Sequence, residues 1–192
     1  MASRLLEALH PGVREKAKRF LELLASQGVS MLVYCGYRDL PSQARLWRST
    51  RTAFEIADKI KKLGARGLGF LADVLEQVGP QAGPLGKHKT MAAPGESWHN
   101  FGRAFDAVPI LDGKPDWDMH DTQAWGFVQT SAKIVGLEWA GTWPIFQESV
   151  HFQDVPAGNP LKMFPPEQVK RMTLEALALS VELNAVDRAA KV

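Results

Sequence analysis

The chain predicts an α+β fold, and three stretches carry that expectation. Val13–Ser26 places Val13, Ala17, Phe20, Leu21 and Leu24 along one stripe of a helix. Val29–Cys35 is short and rich in β-forming residues, as a buried strand is. Gly102–Pro109 alternates, with Ala104, Asp106 and Val108 on one side and Arg103, Phe105 and Ala107 on the other. That period of two belongs to a strand.

The remaining elements follow along the chain. Ser3 is placed to cap a short helix over Arg4–Ala8, which Pro11-Gly12 ends. Gly28 terminates the helix over Val13–Ser26. Gly36–Pro41 reads as a turn and Ser42–Thr50 as a helix. Two more helices, over 53–63 and 68–78, are separated by Gly64, Gly67 and Gly69, and the Pro- and Gly-rich stretch Gly79–Gly86 is a loop. Thr122–Val135 is a helix ending at Gly136, and Leu137–Trp139 and Val150–Phe152 are short strands around a Trp-rich turn. Pro165-Pro166 leads into a C-terminal helix over Glu167–Ala190. Its segment Leu174–Leu183 is apolar on more than one stripe, which predicts packing against the core or a neighbouring subunit. A membrane-touching role is the less supported alternative, because its polar face is not strongly basic.

Composition bounds the functional classes. The chain has 192 residues, 45% hydrophobic and 23% charged, and should bury roughly 70% of its extended surface in one core. No internal repeat or linker divides it, so residues 1–192 are expected to form a single catalytic domain. The net charge of +2, from 23 basic and 21 acidic residues, and the lack of a basic-aromatic stripe point away from nucleic acid. No apolar run approaches the ~20 residues that span a bilayer, and no secretory leader is evident near residue 1, which predicts synthesis into the cytoplasm without stable membrane insertion. Cys35 is the sole cysteine, so no internal disulfide framework exists. Its apolar surroundings favour a buried structural thiol over a catalytic one paired with a histidine.

Three segments carry chemistry: Ser97–Asp106, Glu148–His151, and Tyr37-Arg38 with Gln43. Asp106 falls inside an apolar strand, where an unpaired carboxylate would cost several kcal/mol, so a cation must sit nearby. His99 and His151 with Asp106 make an ordinary three-ligand set for catalytic Zn²⁺. The opposing readings are a satisfied core histidine in each case and an arginine salt bridge for Asp106. His10, His88 and His120 lie in turn-like or polar surroundings and read as structural or surface residues. Glu148 has the chemistry to move a proton from a metal-bound water to a leaving amine, provided a turn or bulge aims it and His151 at one site. Arg38 is suited to holding negative charge on a substrate, or else simply pairs with Asp39.

With these residues in view, the chain resembles the zinc-dependent D-alanyl-D-alanine carboxypeptidase and L-alanyl-D-glutamate peptidase family. Ser97-x-His99-x-x-Gly102-x-Ala104-x-Asp106 matches that family's first metal motif. The resemblance implies His99, Asp106 and His151 as ligands of one Zn²⁺ and Glu148 as catalytic acid/base. Gly36-Tyr37-Arg38 with Gln43 and Leu46 matches the family's arginine-bearing segment. It implies that Arg38, Gln43 and Ser97 line the substrate site, with Arg38 also stabilising developing charge. Leu9–Val13, Thr90–Gly95 and Gly136–Trp143 resemble the peptidoglycan endopeptidase branch. That branch usually has Asp-x-Pro-His-Phe-Glu where this chain has Glu148-Ser149-Val150-His151-Phe152-Gln153. Glu for Asp keeps the carboxylate but lengthens its reach, Val150 loosens the backbone, and Gln153 removes a charge near the site.

The resemblance covers about residues 9–155, leaving a helical insert at about 53–86 and an extension at about 160–192. It implies a small antiparallel sheet bearing the zinc and flanked by helices. It also implies hydrolysis of a peptidoglycan stem-peptide amide, foremost L-alanyl-D-glutamate. A monomer is expected. Size resembles a single-domain phage endolysin, held in the host cytoplasm until it reaches the cell wall. The alternatives are a D-alanyl-D-alanine carboxypeptidase and a non-catalytic zinc-containing peptidoglycan-binding protein.

Overall fold

The computed structural model describes residues 6–78 and 89–189, with side chains to residue 182. The expected Ser3 cap, the start of the Arg4–Ala8 helix, the Gly79–Gly86 loop and His88 lie outside the described residues. Contacts divide the chain into two compact units. One comprises Met1–Tyr37, Gly102–Ala157 and Ala178–Val192, and the other Arg38–Phe101 and Gly158–Leu177.

The first unit is built on a small antiparallel sheet. Its strands are β1 (Met31–Cys35), β2 (Ala104–Leu111), β3 (Lys114–Pro115), β4 (Glu138–Trp139) and β5 (His151–Gln153). The order is β1-β2-β5-β4, with β3 pairing the end of β2. Asp112 and Gly113 both have positive φ (51° and 74°) in the two-residue turn from β2 to β3. That backbone matches the twist of a hairpin and explains the Asp-Gly pair.

Two helices carry the hydrophobic side of this unit. Helix α1 (Pro11–Ser26) starts two residues before the predicted Val13, because the His10 side chain accepts from Gly12 N and Pro11 suits the first turn. Val13, Ala17, Phe20 and Leu24 form its buried stripe. They join Phe105 and Ala107 of β2, Phe152 of β5, and Trp125, Val128, Ala132 and Val135 of α5 (Thr122–Val135) in one core. Phe20 lies 4.9 Å from Phe152, and Phe152 stacks on Phe105 at 5.2 Å. Such ring pairs add about 0.5–1.5 kcal/mol beyond burial. Helix α5 has the predicted bounds and ends at Gly136 with φ 71°, a left-handed cap that favours glycine.

Buried Asp116 anchors the entry to α5. Its carboxylate accepts from His120 N, Asp121 N and Trp125 Nε1 at 2.8–3.0 Å. Burial alone would raise its pKa, but these donors outweigh it and hold the carboxyl below the ordinary aspartate value. His120 lies against the same carboxylate at 3.2 Å, a structural role like that of His10.

The second unit holds α2 (Leu40–Arg48), α3 (Ala53–Ala65), α4 (Gly69–Gln77), α6 (Pro160–Met163) and the first half of α7 (Pro166–Ala189). Helix α2 begins inside the predicted turn, because the Asp39 side chain caps it by accepting from Ser42 N at 2.6 Å. Helix α3 has a reciprocal capping box between Thr52 and Glu55. Among the described residues, the C-terminal helix is covered on one stripe. Val169, Thr173 and Ala176 of α7 are buried, whereas Leu174, Leu177 and Val181 are exposed. Among the described residues, no helix is long and apolar enough to cross a membrane.

Candidate metal centre and active site

Strand register in the first unit brings three donor residues into one row. Cys35 pairs with Asp106, and Asp106 pairs with His151, across β1, β2 and β5. Directly opposed residues share a face of the sheet, so the thiol, carboxylate and imidazole lie on the side away from Phe105 and Phe152. Cys35 reaches that row because β1 slips by one residue. Val33 pairs with Ala107 in regular register, yet Cys35 rather than Tyr34 stands opposite Asp106. The bulge at Tyr34 reverses the alternation at Cys35.

Within the row, Asp106 Oδ1 lies 3.1 Å from His151 Nδ1, and each residue is 8% exposed. Two ligands held about 2.0–2.1 Å from a tetrahedral zinc are about 3.3 Å apart, so this separation fits neighbouring ligands of one ion. Arg103 forms a two-pronged pair with Asp154, at 2.7 and 2.8 Å. The other nitrogen of His151, Nε2, faces Gln153 Oε1 at 3.0 Å, and the Trp143 ring lies 5.8 Å from the imidazole.

Glu148 precedes this row on a tight turn. His151 N donates to Glu148 O at 3.1 Å, and Glu148 N donates to Ala140 O at 3.2 Å. The three-residue spacing is thus a turn and not an extended strand. Glu148 itself is exposed.

The second unit organises His99 and Arg38 together. His99 is 3% exposed and sits in a 3-10 turn over Trp98–Phe101. Its backbone N–H faces Ser97 Oγ at 3.4 Å, and its carbonyl accepts from Arg38 N at 3.0 Å. Asn100 strengthens this junction by donating to Arg38 O at 2.8 Å and accepting from Gly95 N at 2.9 Å. The Arg38 guanidinium donates to Gln43 Oε1 at 2.9 Å. Asp39 is occupied as the cap of α2.

Gln43, expected to line the substrate site, lies inside the second unit. It has no exposed surface, and its amide nitrogen donates to Ala92 O at 2.7 Å. Its carboxamide oxygen accepts from Arg38 within the same unit. Ser97 is half-buried and spends its hydroxyl near the start of the His99 turn.

Cys35 and Asp106 of the first unit supply a thiol and a carboxylate, and His99 of the second supplies an imidazole. Imidazole, carboxylate and thiolate are all zinc ligand types. Sequence reasoning missed Cys35 as a donor and Asn100 and Gln153 as supports. Only Asn100 had a signal, its position directly after His99.

The profile of the VanY family, described as D-alanyl-D-alanine carboxypeptidase, matches residues 6–143. A Bacillus subtilis protein, the peptidoglycan L-alanyl-D-glutamate endopeptidase CwlK, is 28% identical over 155 residues, covering 77% of this chain and 74% of that protein. Among solved structures, the L-Ala D-Glu endopeptidase ChiX of Serratia marcescens aligns with a TM-score of 0.42 at 18% identity, covering 79% of this chain and 84% of that one. The VanYB complex with D-alanine-D-alanine aligns with a TM-score of 0.43 at 17% identity, covering 92% and 82%.

Proposed function

This chain belongs to the VanY D-alanyl-D-alanine carboxypeptidase family, and from that premise we propose that it cleaves the L-alanyl-D-glutamate bond of the peptidoglycan stem peptide. In coarser terms, it is a zinc-dependent peptidoglycan peptidase. The choice of bond is supported by the similarity to CwlK and by the motifs of the endopeptidase branch around residues 90–95 and 136–143.

The proposed ligands are His99, Asp106 and His151. The observation that carries this reading is the buried Asp106–His151 pair, 3.1 Å apart across two strands. When bound, the zinc supplies a Lewis acid and a water acidified toward neutral pH. The Glu148 carboxylate takes a proton from the attacking water and delivers it to the departing amide nitrogen. The Arg38 guanidinium, held by Gln43, balances the negative charge that develops on the carbonyl oxygen. Ser97 and Gln43 serve this arrangement as supports of His99 and Arg38.

Digestion of purified peptidoglycan, with the new termini read by mass spectrometry, tests the bond. New D-glutamyl amino termini are expected, and free D-alanine as the sole product would overturn the choice. A D-alanyl-D-alanine carboxypeptidase is the second reading, favoured by the description of the matching family. A purely peptidoglycan-binding protein would lyse walls equally with and without the Glu148 carboxylate.

The proposal extends to a lytic role as a phage endolysin acting as a monomer, first in the host cytoplasm and then at the wall. Its support is the resemblance of the motifs. Expression inside a Gram-negative cell should lyse the culture only after the inner membrane is permeabilised. Lysis without permeabilisation, or none after it, would count against that role.

A further inference from the structure

Gln153 was expected to matter only as a lost charge, yet it is 1% exposed and directed at His151. Its orientation follows from chemistry. The amide nitrogen lies 2.8 Å from Val155 O and 3.0 Å from Pro156 O, two carbonyls that only accept. The donor end of the carboxamide must face them, so Oε1 faces the imidazole, 3.0 Å from Nε2. An oxygen acceptor there requires the ring hydrogen on Nε2. In a neutral imidazole, that leaves the lone pair on Nδ1, which points toward Asp106 Oδ1 at 3.1 Å.

Two electron-rich atoms at that distance repel unless a cation lies between them. The strand parity explains why one residue does this work. His151 and Gln153 are two apart in β5 and therefore share a face, while Phe152 between them turns into the core.

We infer that Gln153 is a positioning residue that fixes the Nε2–H tautomer of His151 and so reserves Nδ1 for the metal. The inference rests on the proposed ligand role of His151 and deepens it. A hydrogen-bond partner on the far side of a ligating imidazole fixes both its ring orientation and its basicity, and its loss commonly weakens metal binding about 10–100-fold.

Two measurements test this. The first uses the wild-type protein stripped of metal, at a pH where the ring is neutral. Nitrogen-15 NMR of His151 should place the hydrogen on Nε2, and a bare Nε2 with the hydrogen on Nδ1 overturns the inference. The second compares Gln153→Glu with Gln153→Met by chelator competition for zinc. Both variants give up the donations to Val155 and Pro156, and only Gln153→Glu keeps an acceptor at the ring. Gln153→Met should bind zinc about 10–100-fold more weakly than Gln153→Glu. Equal affinities would assign Gln153 to the Val155–Pro156 turn and overturn the inference. If the wild type instead binds zinc with no change at His151, the ligand reading itself fails, whichever tautomer the stripped protein shows. If neither variant folds, the wild-type spectrum decides.

Discussion

Asp106 and Glu148 are two carboxylates of the same unit with opposite settings. Asp106 lies in the middle of the sheet, 8% exposed, with a strand paired on each side. Glu148 stands exposed on a turn whose backbone is held by two hydrogen bonds. A metal ligand must be fixed before the ion arrives, because ligand geometry sets affinity and excludes competing ions. A proton carrier must instead reach first a water and then a leaving nitrogen. On the proposed reading the two carboxylates take different roles, and what separates them in the structure is burial between paired strands against exposure on a turn.

The largest test of that contrast is Asp106→Asn. Purified protein should lose its zinc, measured by elemental analysis, and kcat/KM should fall by roughly a thousandfold or more, the several kcal/mol that metal activation supplies. Glu148→Gln should keep one zinc per chain while kcat drops by about 10²–10⁴ with KM little changed. Zinc retained in Asp106→Asn and lost in Glu148→Gln would reverse the two roles.

Arg38 and Gln43 sharpen the same distinction between reacting and supporting groups. Arg38→Met is expected to reduce kcat by about 10²–10³. Gln43→Ala, which removes one hydrogen bond to that charged group, should cost about tenfold. A larger loss from Gln43→Ala would mean that it touches substrate after all.

The smallest expected effect lies away from the chemistry, at a third carboxylate. Asp116→Asn should lower stability by about 1–3 kcal/mol at neutral pH, read by urea unfolding. The folded pKa of Asp116 lies below its ordinary value of 3.8. Its contribution is therefore full above about pH 4 and is lost as pH falls through the depressed folded value. The gap between wild type and variant should close in that acid window, and a constant gap would remove the carboxylate charge from the account.

Much of the scaffold was legible because local rules and tertiary structure agree. Helix α5 keeps its predicted bounds since Asp121 caps one end and Gly136 turns the other. The alternation of Gly102–Pro109 identifies β2 since one side of that strand faces helices through Phe105 and Ala107. Asp106 stood out as a carboxylate inside an apolar strand, and His99 by its nearness in sequence to it. The rest depends on pairings that a linear pattern does not hold. Cys35 enters the donor row only through a one-residue slip against β2. Gln43 is buried by its bonds to the segment around Ala92, far along the chain. Gln153 looks like a lost charge until its amide is set against Val155 and Pro156.

The slip at Tyr34 has a consequence for association between molecules. β1 ends the strand order on one side and β4, two residues long, ends it on the other. An open strand margin is a template for fibre growth when it is long and flat. Here one margin is kinked and the other is too brief to recruit a neighbour. Both margins therefore offer a poor template for edge-to-edge pairing.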